Sequence, residues 1–313
     1  MKLVFLGTPE FAVPTLEAIV AAGHEVVAVY TQPDRPKGRG QQLAMPPVKE
    51  AALRLGLTIK QPERIRRPEV QQELSALEAE AMVVVGYGQI IPQSIIDLAP
   101  LGILNVHGSL LPKYRGAAPI QWAIANGETV TGVTTMRIDA GLDTGDMLLK
   151  AETQIGPEED AVALGRRLAP LGADLLVRTL ESWKDGSLVP EKQDNAAATY
   201  APILKKEDGQ IDWTWRAEQI DCRIRGFQPW PGAYSSFRGQ RIHIWSAKPA
   251  IHKRLGQPGS LHAVDRHLLV ACGDETALEL RELQLEGRKK ITADAFRNGQ
   301  RLNETDILGE IKH

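Results

Sequence analysis

The sequence predicts an α/β protein, with a doubly wound parallel sheet in its N-terminal part and a small antiparallel barrel in its C-terminal part. Two observations carry this prediction. Short, valine-rich strands alternate with helical segments up to about residue 180, a pattern typical of a parallel sheet covered by helices. Beyond about residue 207, short strands separated by glycine turns follow one another closely, a pattern typical of a barrel.

The composition is that of an ordinary globular chain. Its 313 residues are 43% hydrophobic and 24% charged, with a formal net charge of -2, which allows one large domain and a smaller second one. No apolar run approaches the length that spans a bilayer, and the apolar N-terminal run is too short for a signal peptide. The two cysteines are far apart and form no CxxC pair. We therefore expect a reduced, cytoplasmic protein without a metal site or a membrane partner. We also expect a monomer, because no long apolar surface segment stands out.

A change in composition indicates where the domains meet. A polar, proline-containing stretch without clear periodicity predicts a linker over residues 190–206. It separates a predicted N-terminal domain, residues 1–189, from a predicted C-terminal domain, residues 207–313. The tryptophans at 213, 215, 230 and 245 are expected in the core of the C-terminal domain.

The N-terminal elements begin with a strand–helix–strand unit. Residues 2–6 form a strand, a helix follows to Ala22, and residues 25–30 form the second strand, which predicts a Rossmann-like sheet. Pro14 fits the first turn of a helix better than its middle, so the helix is expected to start after Pro9. The first turn lacks the GxGxxG pattern, which disfavours a dinucleotide site and a nicotinamide oxidoreductase.

The remaining elements follow from the same reasoning. Short apolar runs predict strands, and apolar residues that recur with helical periodicity predict helices. The further predicted helices are 48–56, 68–77, 92–98, 120–125, 159–180 and 217–225. The further predicted strands are 58–61, 81–85, 102–107, 129–138, 147–152, 234–237, 241–247, 261–264, 268–272 and 278–285.

Residues 31–47 are expected to form a long loop, because their prolines and glycines exclude a helix or a central strand. Three cations, Arg35, Lys37 and Arg39, lie close together in it. Long loops between sheet elements are uncommon and usually functional. The composition leaves two interpretations open: a solvated connector, or a basic arm that contacts phosphates.

Candidate site residues concentrate where the predicted strand 102–107 ends. On a strand, Asn105 and His107 project from one face, while Leu104 and Val106 project from the other. Polar side chains at the carboxyl end of an apolar strand lie where open α/β sheets bind ligands. This strand end is therefore the first candidate site.

Two other segments could contribute to the same site. Gly86, Tyr87 and Gly88 follow another buried strand, and they fit either a plain turn or a close backbone approach to a ligand. Asp139, Asp143 and Asp146 are expected at a hairpin tip. There they could serve the turn, or one carboxylate could lie beside His107.

These residue types indicate acyl transfer. An amide and an imidazolium are both hydrogen-bond donors, and aimed at one carbonyl they stabilise the oxyanion of a tetrahedral intermediate. A carboxylate beside the imidazole favours its charged form and fixes its orientation. No GxSxG nucleophile motif and no HExxH or other metal spacing is present. Direct transfer to an external amine therefore fits better than covalent catalysis.

Three segments resemble those of the formyltetrahydrofolate-dependent formyltransferases. The first is Asn105-Val106-His107-Gly108-Ser109-Leu110-Leu111-Pro112-Lys113-Tyr114-Arg115-Gly116, the second is Gly141-Leu142-Asp143-Thr144-Gly145, and the third is Gly7-Thr8-Pro9-Glu10-Phe11. The resemblance implies catalytic roles for Asn105, His107 and Asp143. It implies a pocket for 10-formyltetrahydrofolate lined by Ser109, Leu110, Leu111 and Pro112, with Gly86, Tyr87 and Gly88 as further backbone contacts.

The resemblance also implies the acceptor. Residues 31–40 of the loop resemble an insertion in family members that act on aminoacyl-tRNA, and the C-terminal barrel resembles their OB-like tRNA-binding domain. Contacts with tRNA are thereby implied for Arg35, Lys37 and Arg39 in the loop and for Lys205 and Lys206 in the linker. The implied reaction is formylation of the α-amine of methionine on initiator Met-tRNA.

Three alternatives remain open. Formyltransferases that act on amino-sugar nucleotides share the run 109–116 and a similar C-terminal domain, but a small acceptor would not need the loop segment 31–40. Glycinamide ribonucleotide formyltransferases normally lack the second domain. A non-catalytic folate-binding or RNA-binding protein on this scaffold is disfavoured by the intact Asn105, His107 and Asp143.

Overall fold

The computed structural model describes residues 1–37, 42–251, 255–303 and 305–309. The chain divides into two compact units. The first comprises Met1–Pro119, Val130–Gln154 and Gly165–Ala201. The second comprises Ile120–Thr129, Ile155–Leu164 and Pro202–His313. The domain bounds drawn from the sequence, after residues 189 and 206, remain predictions.

Eight α-helices are present in the described residues. They are α1 (Val13–Ala21), α2 (Pro47–Arg54), α3 (Pro68–Ala76), α4 (Gln93–Ile96), α5 (Pro119–Ala125), α6 (Ala161–Lys184), α7 (Ala217–Gly226) and α8 (Ala293–Gln300).

The same residues form seventeen strands. They are β1 (Lys2–Gly7), β2 (Glu25–Tyr30), β3 (Arg35–Lys37), β4 (Gln42–Ala44), β5 (Ile59–Lys60), β6 (Ala81–Val85), β7 (Ile103–His107), β8 (Arg115–Gly116), β9 (Val130–Arg137), β10 (Met147–Gln154), β11 (Tyr200–Ala201), β12 (Ala233–Phe237), β13 (Gln240–Ala250), β14 (Leu261–Val264), β15 (His267–Ala271), β16 (Ala277–Leu285) and β17 (Ile291–Thr292).

The first unit is built on a seven-stranded sheet in the order β10-β9-β7-β6-β1-β2-β5. Strands β5, β2, β1, β6 and β7 pair in parallel, and β9 and β10 add an antiparallel edge. The chain winds outward from β1 in one direction to β2 and β5, and in the other to β6 and β7. This order confirms the doubly wound sheet, whose ligand crevice is expected where the winding reverses, between β1 and β6.

Strand β1 shows how the sequence produces this layered packing. Its alternate residues Leu3 and Phe5 pack with apolar side chains of α1 and α2 in one core cluster. Val4 and Leu6 pack with side chains of α3 and α4 in a second cluster. A strand that is apolar at every position is therefore buried on both faces, as expected for a parallel sheet covered by helices.

The predicted start of the first helix is confirmed. A 3-10 turn over Glu10–Ala12 precedes α1, which begins at Val13 with Pro14 in its first turn. Proline is tolerated there because the first amides of a helix have no intrahelical partner.

The loop predicted over residues 31–47 contains more regular structure than expected. Strands β3 and β4 form a short antiparallel pair, with Pro36 opposite Leu43. This pair is separate from the main sheet, so a proline in it costs no hydrogen bond of a central strand.

The second unit contains an antiparallel sheet in the order β12-β13-β16-β15-β14, with β17 paired to β16. Isolated bridges lie at both of its edges: Leu308 pairs with Phe237, the last residue of β12, and Ile307 pairs with Ser260, just before β14. Residues 307 and 308 thus connect the two edges of this antiparallel sheet, as expected for the predicted small barrel. Helix α7 packs against it through Ile220.

Three features of the second unit differ from the prediction. Strand β17 and helix α8 were not predicted, because the strand has only two residues and the helix is mostly polar. The Thr292 hydroxyl accepts the amide of Ala295, a helix cap that could have indicated α8. Among the tryptophans, Trp213 is buried as expected, but Trp230 is 54% exposed in the turn before β12, so its placement in the core was wrong.

None of the helices in the described ranges combines the length and the apolar character needed to cross a bilayer.

Candidate active site

Strand β7 presents two polar side chains at its carboxyl end. Leu104 and Val106 pack into the core cluster on one face of the sheet, so Asn105 and His107 project from the other face, as the alternation predicts. Both are nearly enclosed, with 8% and 5% of their surface exposed. Among the described residues, none forms a hydrogen bond with the Asn105 amide. Its N–H groups are therefore available to a ligand.

The His107 ring is held from its far side by the main chain. Its Nε2 lies 2.9 Å from the carbonyl oxygen of Tyr114. A carbonyl can only accept a hydrogen bond, so Nε2 carries a hydrogen and donates it. Tyr114 has a left-handed backbone conformation, with φ of 61°. Sequence reasoning missed this contact because it uses a backbone atom.

The other ring nitrogen faces a carboxylate. His107 Nδ1 lies 3.7 Å from Asp143 Oδ2. This distance is too long for a hydrogen bond, but it supports an ion pair when the imidazole is protonated. Asp143 Oδ2 also accepts the Gly116 amide at 2.8 Å. The carboxylate therefore has one fixed donor and one ionisable neighbour.

The aspartates of the tip 139–146 have different roles. Asp139 serves the turn, since its carboxylate accepts the Gly141 amide and the Thr144 hydroxyl. The carbonyl of Asp146 accepts the Arg137 amide next to the ladder of β9 and β10. Of the three, Asp143 is the one that approaches His107.

The Thr134 side chain holds the loop after β7 in place through two hydrogen bonds. The Thr134 hydroxyl donates to the Ser109 carbonyl at 2.7 Å and accepts the Leu111 amide at 3.1 Å. Ser109 and Leu111 are buried, and the Ser109 hydroxyl donates to the Lys113 carbonyl. Of the predicted folate contacts in this loop, Leu110 and Pro112 are the partly exposed ones. Ser109 and Leu111 shape the loop, and contacts of all four with a folate remain a prediction.

The segment Gly86-Tyr87-Gly88 lies at the same edge of the sheet. It follows β6, where Val84 pairs with Asn105 of β7. The Tyr87 carbonyl accepts the Thr8 hydroxyl at 3.0 Å and the Gln32 amide at 3.1 Å. Both bonds join it to segments that follow β1 and β2.

The Tyr87 side chain does not face an open pocket. It is buried, and burial raises the pKa of its phenol well above the usual range. Gly86 and Gly88 have positive φ, and a Cβ on Gly86 would lie 2.9 Å from the Pro9 ring. This segment can therefore offer a ligand backbone groups rather than the tyrosine ring.

The candidate basic contacts are only partly described. Arg35 is exposed at the start of β3. The structure describes only the backbone of Lys37, and Arg39 lies outside the described residues. Asp34 anchors the base of this hairpin, with hydrogen bonds from Lys49 at 2.6 Å and Gln61 at 2.7 Å. These bonds, first that of Lys49, lower the pKa of the Asp34 carboxyl. In the second unit, Lys205 and Lys206 are exposed.

Residues of the predicted linker complete the candidate site. Arg115 is 2% exposed and donates to Gln193 Oε1 and Asn195 Oδ1, both at 3.0 Å. Gln193 Nε2 donates in turn to the carbonyls of Asp143 and Gly145. Sequence reasoning missed Gln193 because it lies in a polar stretch without periodicity, far along the chain from Asp143. In the described part of the chain, no cluster of three or more His, Cys, Asp or Glu side chains could hold a metal ion.

Comparison with known proteins identifies the family of this chain. Residues 1–180 match the family model described as formyl transferase, and residues 203–301 match that of the formyl transferase C-terminal domain. The chain belongs to the formyl transferase family. The first match contains every residue of the Asn105, His107 and Asp143 group.

This formyl transferase has similar relatives along its whole length. It is 66% identical over 310 residues to the methionyl-tRNA formyltransferase of Solibacter usitatus (strain Ellin6076), with 99% of both chains covered. It is 59% identical over 312 residues to the methionyl-tRNA formyltransferase of Koribacter versatilis (strain Ellin345), again with 99% of both chains covered.

Among solved structures, this formyl transferase is similar in fold to the N-formyltransferase of Helicobacter canadensis, in a complex with folinic acid and dTDP-3-aminofucose. The TM-score is 0.66 at 18% identity, over 90% of this chain and 98% of the other. At that identity the likeness is one of fold.

Proposed function

We propose that this protein transfers the formyl group of 10-formyltetrahydrofolate to the free α-amine of methionine on initiator Met-tRNA. The observation that carries the proposal is the convergence of Asn105, His107 and Asp143 at the carboxyl edge of the sheet. The 66% identity to a methionyl-tRNA formyltransferase supports the choice of acceptor. A cytoplasmic location and a monomeric state belong to the same proposal.

The site supplies donors for the formyl oxygen. The unpartnered Asn105 amide donates one hydrogen bond. Because His107 Nε2 is committed to the Tyr114 carbonyl, the second donor is Nδ1 of the protonated ring. Asp143 Oδ2, 3.7 Å from Nδ1, provides the opposite charge beside that ring. Both donors are nearly enclosed, which strengthens their interaction with a developing charge.

The reaction then proceeds by direct attack. The neutral methionine amine forms a bond to the formyl carbon, and the carbonyl electron pair moves to the oxygen, where Asn105 and His107 stabilise it. Asp143 accepts the proton from the attacking amine, directly or through a water. Collapse of the intermediate breaks the bond to the tetrahydrofolate nitrogen, which takes up the proton. The products are formylmethionyl-tRNA and tetrahydrofolate.

The remaining predicted contacts divide between the two substrates. The folate is assigned the loop residues Ser109, Leu110, Leu111 and Pro112 and the backbone of Gly86, Tyr87 and Gly88. The exposed Arg35, together with Lys37, Arg39, Lys205 and Lys206, is assigned to tRNA phosphates, where cations contribute affinity that falls with salt.

A second candidate acceptor is an amino-sugar nucleotide. The fold likeness to an N-formyltransferase complexed with dTDP-3-aminofucose favours keeping it. The β3–β4 hairpin, with Arg35 exposed on it, distinguishes the two proposals, because a small acceptor does not require a basic arm.

The experiment offers 10-formyltetrahydrofolate to the purified protein with each of three acceptors: initiator Met-tRNA, an amino-sugar nucleotide and glycinamide ribonucleotide. We expect a formylated product with Met-tRNA alone. Transfer to either small amine but not to Met-tRNA would overturn the proposed acceptor while keeping the chemistry. No transfer to any of the three would overturn the proposed activity.

A further inference from the structure

A strap of residues 191–201 runs across both loops that form the candidate site. Glu191 and Met147 exchange two backbone hydrogen bonds of 2.8 Å beside the tip 139–146. Thr199 accepts the Tyr114 amide through its hydroxyl at 2.9 Å and the Arg115 amide through its carbonyl at 2.9 Å. Strand β11 at the end of the strap pairs with β8. The strap therefore contacts both the loop whose Tyr114 carbonyl binds the His107 ring and the tip that carries the Asp143 carboxylate.

Gln193 joins these two loops through its side chain. Its Nε2 donates to the carbonyl of Asp143 at 2.8 Å and to that of Gly145 at 2.7 Å. Its Oε1 accepts the Arg115 guanidinium at 3.0 Å. A glutamine amide has two N–H groups and one carbonyl, and here each has a partner. Its orientation is thereby fixed, since a flipped side-chain amide would place its oxygen, which cannot donate, against the carbonyl oxygens of Asp143 and Gly145.

Asp143 requires such support. Its backbone is in the left-handed region, with φ of 51°, a conformation that is uncommon for residues other than glycine, although aspartate tolerates it better than most. Gly116 holds its carboxylate and Gln193 holds its carbonyl. The direction of the carboxylate toward His107 depends on both ends of the residue being fixed.

We propose that Gln193 is a positioning residue, which acts through the backbone of Asp143 to hold the carboxylate against Nδ1 of His107. The buried Arg115 guanidinium orients Gln193 for this task. The proposal rests on the proposed function, since its effect is read in formyl transfer. It predicts that the loss of Gln193 misplaces Asp143 without changing either substrate's binding contacts.

The test uses two substitutions of different chemistry. Gln193→Met keeps the length of the side chain and removes all three hydrogen bonds. Gln193→Glu keeps an acceptor for Arg115 but loses both donors to the tip. We expect each to lower kcat by about 10- to 100-fold, the scale of a small misplacement of a reacting group. The KM values for the folate and for Met-tRNA should stay within about twofold of wild type, since no binding contact is lost.

A double-mutant cycle distinguishes positioning from a general structural role. Asp143→Asn removes the carboxylate on which Gln193 acts, so Gln193→Met should add almost no further loss in that background. Gln89→Met is the matched control. Gln89 also donates to two carbonyls, those of Pro62 and Glu63, and accepts one amide, that of Ile65. Its replacement should leave kcat within about twofold of wild type, since its three bonds go to residues 62–65, to which no catalytic role or substrate contact is assigned.

Three outcomes would overturn the inference: an unchanged kcat in Gln193→Met, losses that multiply fully in the double mutant, or an equal loss of kcat in Gln89→Met. Thermal unfolding of every variant keeps loss of fold apart from loss of rate. Failure of the proposed function looks different, because wild type itself would then not formylate Met-tRNA.

Discussion

The imidazole of His107 donates from Nε2 to the main-chain carbonyl of Tyr114, at 2.9 Å. This bond fixes the ring orientation and assigns the hydrogen of the neutral ring to Nε2. Nδ1 is the nitrogen that remains for Asp143 and for the reaction. The reaction should therefore use this one ring nitrogen, together with Asn105 and Asp143.

Asp143→Asn should lower kcat by about 10²-fold or more, the scale of a lost acid–base group. The amide keeps the shape and can still accept the Gly116 amide, but it places no negative charge beside the imidazole and does not accept the proton of the amine. Steady-state formylation of Met-tRNA measures the change. Asp146→Asn removes the same charge from the same tip and should stay within about twofold of wild type. Equal losses in the two variants would contradict the role of Asp143.

Asn105→Ala should lower kcat by about 10²- to 10³-fold, as does loss of a single oxyanion donor. Its thermal midpoint should change little, because no described residue depends on the Asn105 amide for a hydrogen bond. Kinetics and thermal unfolding of the same preparation check both parts. A large loss of stability with an unchanged kcat would assign Asn105 to the fold instead.

Gly145→Ala should lower both activity and stability. A Cβ there would lie 2.0 Å from the Arg137 carbonyl, which is a backbone atom and cannot move aside alone. The tip that carries Asp143 must then shift. We expect kcat to fall by about tenfold or more, as a small misplacement of a reacting group does. In α8, Gly299 has open space for a Cβ, so Gly299→Ala should be neutral or slightly stabilising. An active, fully stable Gly145→Ala protein would refute this view of the tip.

Arg35→Ala should raise the KM for Met-tRNA and leave the KM for the folate unchanged, because the exposed guanidinium is assigned to phosphates. Removing one phosphate contact should also reduce the slope of log affinity against log salt by about 1. Titrations at several salt concentrations measure it. Arg54→Ala removes an equally charged group, one paired with Glu17 on the surface, and should leave the slope unchanged. The same slope change in both variants would mean that only net charge matters.

The ion pair of Asp306 with Arg238 should make stability depend on pH. Two hydrogen bonds of 2.8 and 2.7 Å from Arg238, partly opposed by burial, lower the pKa of Asp306. A lowered folded-state pKa stabilises the protein above the unfolded value near 3.9 and loses that stabilisation as the pH falls through the folded value. Asp306→Asn should therefore cost about 1 to 2 kcal/mol at pH 7, discounted because the Arg238 side chain is 43% exposed.

Thermal unfolding across pH 7 to pH 3 measures that difference. It should shrink toward the acid end, where the wild-type carboxyl begins to take up a proton. If wild type and Asp306→Asn differed in stability by the same amount at pH 7 and pH 3, the negative charge of Asp306 would not be the source of the stabilisation.

Much of the candidate site could be predicted because strand periodicity is strict. Once residues 102–107 are a strand, Asn105 and His107 must share a face, and the polar pair at the end of an apolar run indicates the ligand edge. Periodicity places three aspartates at the tip without saying which one turns inward, and the family resemblance is what singled out Asp143. In the structure, Asp143 is the one of the three that approaches His107, at 3.7 Å.

The rest depends on atoms or distances that the sequence does not show. The Tyr114 carbonyl and the Gly116 amide are backbone groups, which any residue type would supply. Gln193 meets Asp143 only because the strap 191–201 returns across the loops after α6. The β3–β4 pair was hidden by prolines and glycines, which exclude a central strand but permit a separate short hairpin.

The most direct test of the account is the single-turnover rate of formyl transfer to Met-tRNA by His107→Ala, with both substrates saturating. His24→Ala, which removes a histidine at the turn between α1 and β2, is the control. We predict a loss of about 10²-fold or more in His107→Ala and a near-normal rate in the control. A near-normal rate in His107→Ala would contradict the assignment of the reaction to the Asn105, His107 and Asp143 group.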